Sequence, residues 1–200
     1  MEENLFLLSC SMYQRLRDYI TARVPTDDHT LDAICAHFTP LKTKRNQLLL
    51  QYGETCQQYY FVNKGCIRLF TLNKDGVETS RFFAFEGGFG TALPSFIEHT
   101  PATEYMQTIE KSELLQISRT DFYHLVDTVP AFGFIYRQIL ELGFITAQKR
   151  IYGFQGFDAL EKVQWVIQYQ PDFLLRVSNK MAASYLGLTP STLSRIKARL

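Results

Sequence analysis

The sequence predicts an α+β protein: N-terminal helices, an antiparallel β-roll or jelly roll, one long helix, and a C-terminal helix-turn-helix. Three observations carry that expectation. Between residues 41 and 118, short apolar segments alternate with turn residues. From Pro130 to about Tyr152, apolar residues recur at steps of three and four. The stretch Asn179–Leu200, NKMAASYLGLTPSTLSRIKARL, has the spacing of two helices joined by a tight turn.

Residues 5–23 mix Leu, Met, Tyr and Ile with Arg and Asp at helical spacing, and Pro25 stops that helix. Thr26, Asp27 and Asp28 can cap a second helix, running through Leu31, Ile34 and Phe38 until Pro40. The period then changes. LKTK, QLLLQ, YYFVN, CIRLFTLN, VETSRFFAF, YMQTIE and ELLQIS read as strands, divided by Gly53, Gly65 and the hairpin signal Lys74-Asp75-Gly76. About eight strands at this spacing suit an antiparallel barrel, roll or jelly roll.

Asp121 to Val126 reads as a short helix, and Pro130 opens the long one. Along it, Phe132, Ile135, Ile139, Leu142 and Thr146 form a narrow stripe of the coiled-coil type. The stripe is read as a dimer seam; packing on the chain's own roll is the alternative. The segment YGFQGF, with Gly153 and Gly156, is expected to break the helix and act as a hinge. Residues 158–170, with Leu160, Val163, Trp165 and Ile167, form a further helix ended by Pro171. The domain division expected is 1–129 for the roll, 130–152 for the long helix and 153–200 for the helix-turn-helix.

The terminal motif can be read position by position. Ala182 and Ala183 are small enough for close helix approach, and Gly187 suits a left-handed turn. Thr189 caps the second helix and Pro190 occupies its first turn. Leu193, Ile196 and Leu200 are expected to be buried. Ser191, Thr192, Arg195, Lys197 and Arg199 remain outside, with no acid among them. Lysine and arginine suit phosphates, while arginine and hydroxyls suit base edges. The competing reading is a surface helix pair in an ordinary helical domain.

Two hundred residues with 46% hydrophobic composition can build one sizeable core or two small ones. The net charge of +1 hides an asymmetry. Residues 171–200 carry five bases against one acid, +4, leaving 16 bases and 19 acids, −3, in residues 1–170. A basic end on a slightly acidic body fits a DNA-contacting tail. The acidic start MEENLFLL lacks a basic region followed by a long apolar core, so no signal peptide is expected. No apolar run approaches the ~20 residues of a membrane span. The expected location is the cytoplasm, with no membrane partner. Cys10, Cys35, Cys56 and Cys66 have no CxxC spacing and read as reduced core residues.

In the roll, QYGE, YYFVNKGCIRLF and GGF place Gly53, Gly65 and Gly88 at characteristic turns, and the chain ends in SYLGLTPSTLSRIKARL. With the order roll, long helix, helix-turn-helix, these motifs resemble the cyclic-AMP receptor/fumarate–nitrate regulator (Crp/Fnr) superfamily over almost the whole chain, and its short Bacteroidetes-type members in particular. The resemblance implies a cyclic-nucleotide-binding-like roll, a dimerising helix and a winged helix-turn-helix. It implies double-stranded DNA and a second copy of the chain as partners, with RNA polymerase as a further candidate. The effector is an unknown small molecule or none, and no cofactor is expected. DNA contacts would fall to Lys180, Thr189, Ser191, Thr192, Arg195, Lys197 and Arg199, with Arg195 the fork for guanine O6 and N7. Because the chain stops where the family's second helix ends, a reader without its wing is expected.

The implied effector pocket lies between Phe89 and Gln107, lined by Phe89, Thr91, Ala92, Ala102 and Thr103. In the ungapped match, Ala92 stands where a cyclic-AMP binder has its ribose-holding Glu, and Ala102 where it has its phosphate-holding Arg. A buried phosphate without its cation loses a charge-assisted pair. Pro94 also removes a backbone donor from the short cassette helix. Cyclic AMP and cyclic GMP are therefore not expected effectors. Phe82, Phe83, Phe85, Phe89 and Phe96 read as core, an apolar pocket being the other reading.

Two other functions were weighed. A jelly-roll metalloenzyme needs clustered His with Glu, whereas His29, His37, His99 and His124 are scattered without HxH or HxxxH spacing. No GxSxG elbow is present, so neither catalytic residues nor a metal site are expected. A regulatory module acting on protein partners finds no support in the terminal motif.

Overall fold

A computed structural model describes residues 2–200, with side chains from Met12 onward. Cys10 lies outside the residues whose side chains are described. The chain divides into two compact units, Met1–Leu69 with Phe83–Leu140, and Phe70–Phe82 with Glu141–Leu200.

Helices α1 (Glu2–Thr21) and α2 (Asp28–Ala36) open the first unit. Asp27 caps α2 by accepting the Thr30 amide at 2.8 Å. The expected run of this helix to Pro40 is too long. It stops at Ala36, and Pro40 lies within β1 (Thr39–Thr43). That strand is an edge strand, where a missing amide donor is tolerated.

The strands β2 (Leu48–Leu50), β3 (Gln58–Lys64), β4 (Ile67–Leu72), β5 (Glu78–Ala84), β6 (Phe89–Gly90), β7 (Tyr105–Thr108) and β8 (Ser112–Ser118) follow. They form two four-stranded sheets, ordered β1-β8-β3-β6 and β2-β7-β4-β5. In the first, Leu41 faces Leu114 and Phe61 faces Leu115 across antiparallel ladders. Strand β6 escapes sequence periodicity because two residues cannot display an alternation. The β3–β4 turn requires Gly65: φ is +100°, and a Cβ there would lie 2.1 Å from the Ser112 hydroxyl oxygen.

Aromatic rings fill the roll. Tyr59 stacks on Phe122 at 4.8 Å, and Phe96 meets both edge-on at 5.2 and 5.5 Å. Tyr19 from α1 meets Phe61 and Phe89 edge-on. Cys35, Cys56 and Cys66 are buried.

Helices α3 (Leu93–Glu98), α4 (Arg119–Thr128) and α5 (Pro130–Gly156) complete the order up to the terminal domain. Phe132 and Ile135 of α5 are each 1% exposed. Phe132 meets Phe38 and Phe122, so the first half of the predicted seam is core of its own unit. Ile139 packs against that core, whereas Leu142 and Thr146 are exposed.

The helix breaks later than the expected end near Tyr152: α5 runs through Gly153 and ends at Gly156, the last glycine of YGFQGF. A single glycine in a helix costs only about 1 kcal/mol, so Gly153 by itself does not stop α5. Gly153 is instead bare because a Cβ would lie 2.7 Å from the Phe157 ring.

The second unit also holds α6 (Ala159–Tyr169), α7 (Phe173–Arg176), α8 (Asn179–Leu186) and α9 (Pro190–Lys197). Asp158 and Glu161 form a reciprocal capping box at the start of α6. Helix α7, one turn long, was too short to register as a period. Val163, Val166, Phe173, Ala183, Leu186 and Leu193 make the core. Leu200, expected inside, is 62% exposed. Helix α9 ends at Lys197, so helical spacing no longer places residue 200 on the buried face.

Candidate nucleic-acid interface

The helix-turn-helix forms from local signals. The Ser178 hydroxyl accepts the Met181 amide and caps α8. Gly187 adopts φ 66°, ψ 35°, and its amide donates to Ala183 O, closing the helix in the left-handed conformation that glycine permits. The Thr189 hydroxyl accepts the Thr192 amide at 3.1 Å and caps α9, with Pro190 in the first turn. Leu193 is fully buried and Ile196 half-buried, which fixes the face α9 turns outward.

On the outer face the predicted residues separate into groups. Thr192, Arg195 and Arg199 line a cleft of about 390 Å³ together with Ile196 and with Asp158, Ala159 and Leu160 at the start of α6. Lys197 points elsewhere: its Nζ donates to Leu174 O at 3.2 Å, beside α7. Ser191 and Thr192 share their hydroxyls with Thr189 at 3.0 and 2.8 Å, forming a small polar cluster over the start of the helix. Lys180 is exposed in the first turn of α8. Asp158, on the cleft rim beside two arginines, went unnoticed in the sequence because an acid before a helix reads as a cap.

A second arrangement in this unit was not legible. The β4–β5 hairpin is set by Asn73, whose carboxamide oxygen accepts the Asp75 and Val77 amides. Ser80, wholly buried, hydrogen-bonds the Ser184 hydroxyl of α8 at 2.7 Å and donates to Met181 O at 3.3 Å. Arg150 of α5 donates to Arg81 O and, at 3.0 Å, to Tyr185 O, with its guanidinium 4.1 Å from the Tyr185 ring centre. Burial pulls the Arg150 pKa below the usual guanidinium range. Residues 80–81, 150 and 184–185 are far apart in sequence, and no spacing connects them.

In the roll, four of the five residues expected to line the implied pocket are buried. Phe89, Thr91, Ala92 and Ala102 are buried, whereas Thr103 is exposed. Thr91 Oγ1 donates to Gln58 O at 2.8 Å. Ser95 Oγ accepts the Cys56 amide and donates to Thr100 O, so the cassette is held by protein groups. Pro94 lies in the first turn of α3, and the donor it removes is one without a partner inside the helix. Of the five phenylalanines, Phe83, Phe89 and Phe96 are buried core, Phe85 is half-buried and Phe82 is 36% exposed.

Two of the histidines come together in space. His37 Nδ1 lies 3.1 Å from Asp121 Oδ1, and its ring centre is 5.6 Å from that of His124. Among the described residues, no group of three or more such side chains could hold a metal. Nor is any helix among them long and apolar enough to cross a membrane.

Residues 40–129 match the cyclic nucleotide-binding domain family. That segment is similar to the family, and the chain shares the fold of solved Crp/Fnr regulators. FixK2 from Bradyrhizobium japonicum aligns with a TM-score of 0.72 at 17% identity, covering 82% of this chain and 84% of its own. A CooA mutant from Carboxydothermus hydrogenoformans aligns at 0.67 and 18% identity, covering 88% and 84%. A Eubacterium rectale protein described as a transcriptional regulator of the Crp/Fnr family aligns at 0.67 and 11% identity, covering 89% and 87%. Comparison with curated proteins returns no sequence match. The Crp/Fnr fold accounts for the order of elements, from the roll through α5 to the helix-turn-helix.

Proposed function

We propose that this protein is a homodimeric DNA-binding transcription regulator that reads paired half-sites and does not respond to cyclic AMP. The observation that carries the proposal is α9. It is an acid-free helix, locked by Leu193, that turns Ser191, Thr192 and Arg195 outward, with Arg199 exposed just past its end. Such a face supplies a bidentate fork for guanine and cations for phosphates. Lys180 adds a further cation at the start of α8.

Dimerisation is supported by the second half of α5, where Phe144 and Tyr152 are 66% and 68% exposed and Leu142, Ile145 and Ile151 about half exposed. Phe144 and Ile151, like Ile145 and Tyr152, are seven residues apart, so they form one apolar stripe. A second copy of the same helix is its natural cover, since paired half-sites require a two-fold reader. The effector reading rests on Ala92 and Ala102, which offer a phosphoribose neither a carboxylate nor a guanidinium, in a cassette already bonded to its own chain.

Selection of bound duplexes from a random pool, followed by binding at several salt concentrations, tests the proposal. A two-fold symmetric site with a steep salt dependence is expected. Recovery of no enriched sequence would overturn it.

A further inference from the structure

Asn179 opens α8, but its side chain serves α9. Its Nδ2 donates to Pro190 O at 2.9 Å and to Ser194 Oγ at 3.1 Å. A carboxamide has two N–H donors, and both go to one turn of α9. Pro190 O belongs to the first residue of that helix, and Ser194 lies one turn further along the same face. The residue after Ser194 is Arg195.

The geometry points to Asn179 as a positioning residue for DNA recognition: a staple that fixes the rotation of α9 against α8 and so aims Arg195. This inference rests on the reading that α9 meets DNA. Two observations separate the staple from ordinary helix architecture. Helix α8 is capped by Ser178, so Asn179 is not needed to start it. In a first turn the helix dipole favours an acid, yet only the amide can donate to a carbonyl. The staple matters because base contacts must be held within roughly 0.5 Å and 10–20° of their working geometry. Leu193 and the half-buried Ile196 set which face of α9 turns inward, but non-directional apolar contacts leave small rotations about the helix axis free. Two hydrogen bonds at positions 190 and 194, on a second face, remove that freedom.

The test uses the full chain with Asn179→Ala, Asn179→Asp and Ser194→Ala. The first readout needs no DNA: amide hydrogen exchange across residues 191–197. The second is the ratio of affinity for the selected duplex to affinity for a scrambled duplex of equal length. Asn179→Ala is expected to speed exchange in α9 without changing it in α6, and to lower the affinity ratio about five- to tenfold, the effect of one to two net hydrogen bonds. Ser194→Ala should give a smaller change in the same direction. Asn179→Asp should keep the thermal midpoint, because its charge suits the first turn of α8, while speeding exchange in α9 at least as much as the alanine. Unchanged exchange in α9 with an unchanged ratio in Asn179→Ala overturns the staple. Faster exchange with an unchanged ratio reduces Asn179 to a structural residue and overturns its role in discrimination. Failure of the wild type to prefer any duplex sinks the DNA-binding reading itself, and the discrimination role with it.

Discussion

Ser80 of β5 and Ser184 of α8, 104 positions apart, share a hydroxyl–hydroxyl hydrogen bond of 2.7 Å. The Ser80 amide also donates to the Ser184 oxygen at 3.2 Å, so strand backbone and helix side chain are joined directly. Ser80→Ala removes the hydroxyl pair and the bond to Met181 O, while the backbone amide still reaches the Ser184 oxygen. It is expected to destabilise the second unit by about 1 kcal/mol. Thermal unfolding checks this, and hydrogen exchange should show faster opening of α8; an unchanged midpoint with unchanged α8 protection would refute it.

Arg195→Ala is expected to weaken binding to the selected duplex by about 1–3 kcal/mol and to relax preference at one base pair in each half-site. Lys197→Ala should do less, because its ammonium group is engaged by Leu174 O. Fluorescence anisotropy with the selected duplex and single-base variants measures both. Equal losses in the two variants would contradict the division of the outer face.

Cyclic AMP at millimolar concentration is expected to leave the thermal midpoint where it was. A ligand present at a hundred times its Kd would stabilise by about 2.7 kcal/mol, easily seen in a melt. A clear upward shift would mean that the cassette opens and finds another cation for the phosphate.

Phe144→Glu and Ile151→Glu are expected to yield a folded monomer, since both side chains are exposed on the second half of α5 and contribute little to the protomer core. Sedimentation at several concentrations reads the outcome. A wild-type chain that stays monomeric at high concentration rules out α5 as a seam.

Asp121 should give stability an acid-sensitive component. The Ser118 hydroxyl first, then the His37 imidazole, hold its carboxyl below the usual range. A lowered folded pKa means the contribution is complete above the unfolded value of about 3.9 and fades as pH falls through the folded value. Asp121→Asn should therefore melt earlier than wild type near neutrality, and the two should converge in acid below about pH 4. A constant gap between the two melting curves down to strong acid would remove Asp121 as its source.

Most of the helix-turn-helix was legible because its determinants are neighbours. Gly187, Thr189 and Pro190 act on amides and carbonyls within four residues, so a linear reading finds them; the Ser178 cap, equally local, lies one residue before the stretch read as the motif and was missed. The strand segments were legible for the same reason, through alternation and turn residues; β6 and α7 were missed because two and four residues hold no period. The seam shows where periodicity stops helping. Phe132, Ile135, Leu142 and Thr146 follow one rhythm, but the first two are covered by Phe38 and Phe122 from other elements while the last two are bare. Spacing specifies a face; only the neighbours in space decide what covers it.

The composition and patterning of this chain were sufficient for its fold class, its order of elements, the Gly187 turn and the Thr189 cap of α9, and the basic outer face of the last helix. These depend on short-range backbone chemistry and on hydrophobic period. Tertiary structure decided which side chains act together: Ser80 with Ser184, Arg150 with Tyr185, His37 with Asp121 and His124, and Asn179 with Pro190 and Ser194. The Ser80–Ser184 and Arg150–Tyr185 pairings satisfy polar groups that burial would otherwise strand. Which distant partner does so is set by the path of the whole chain.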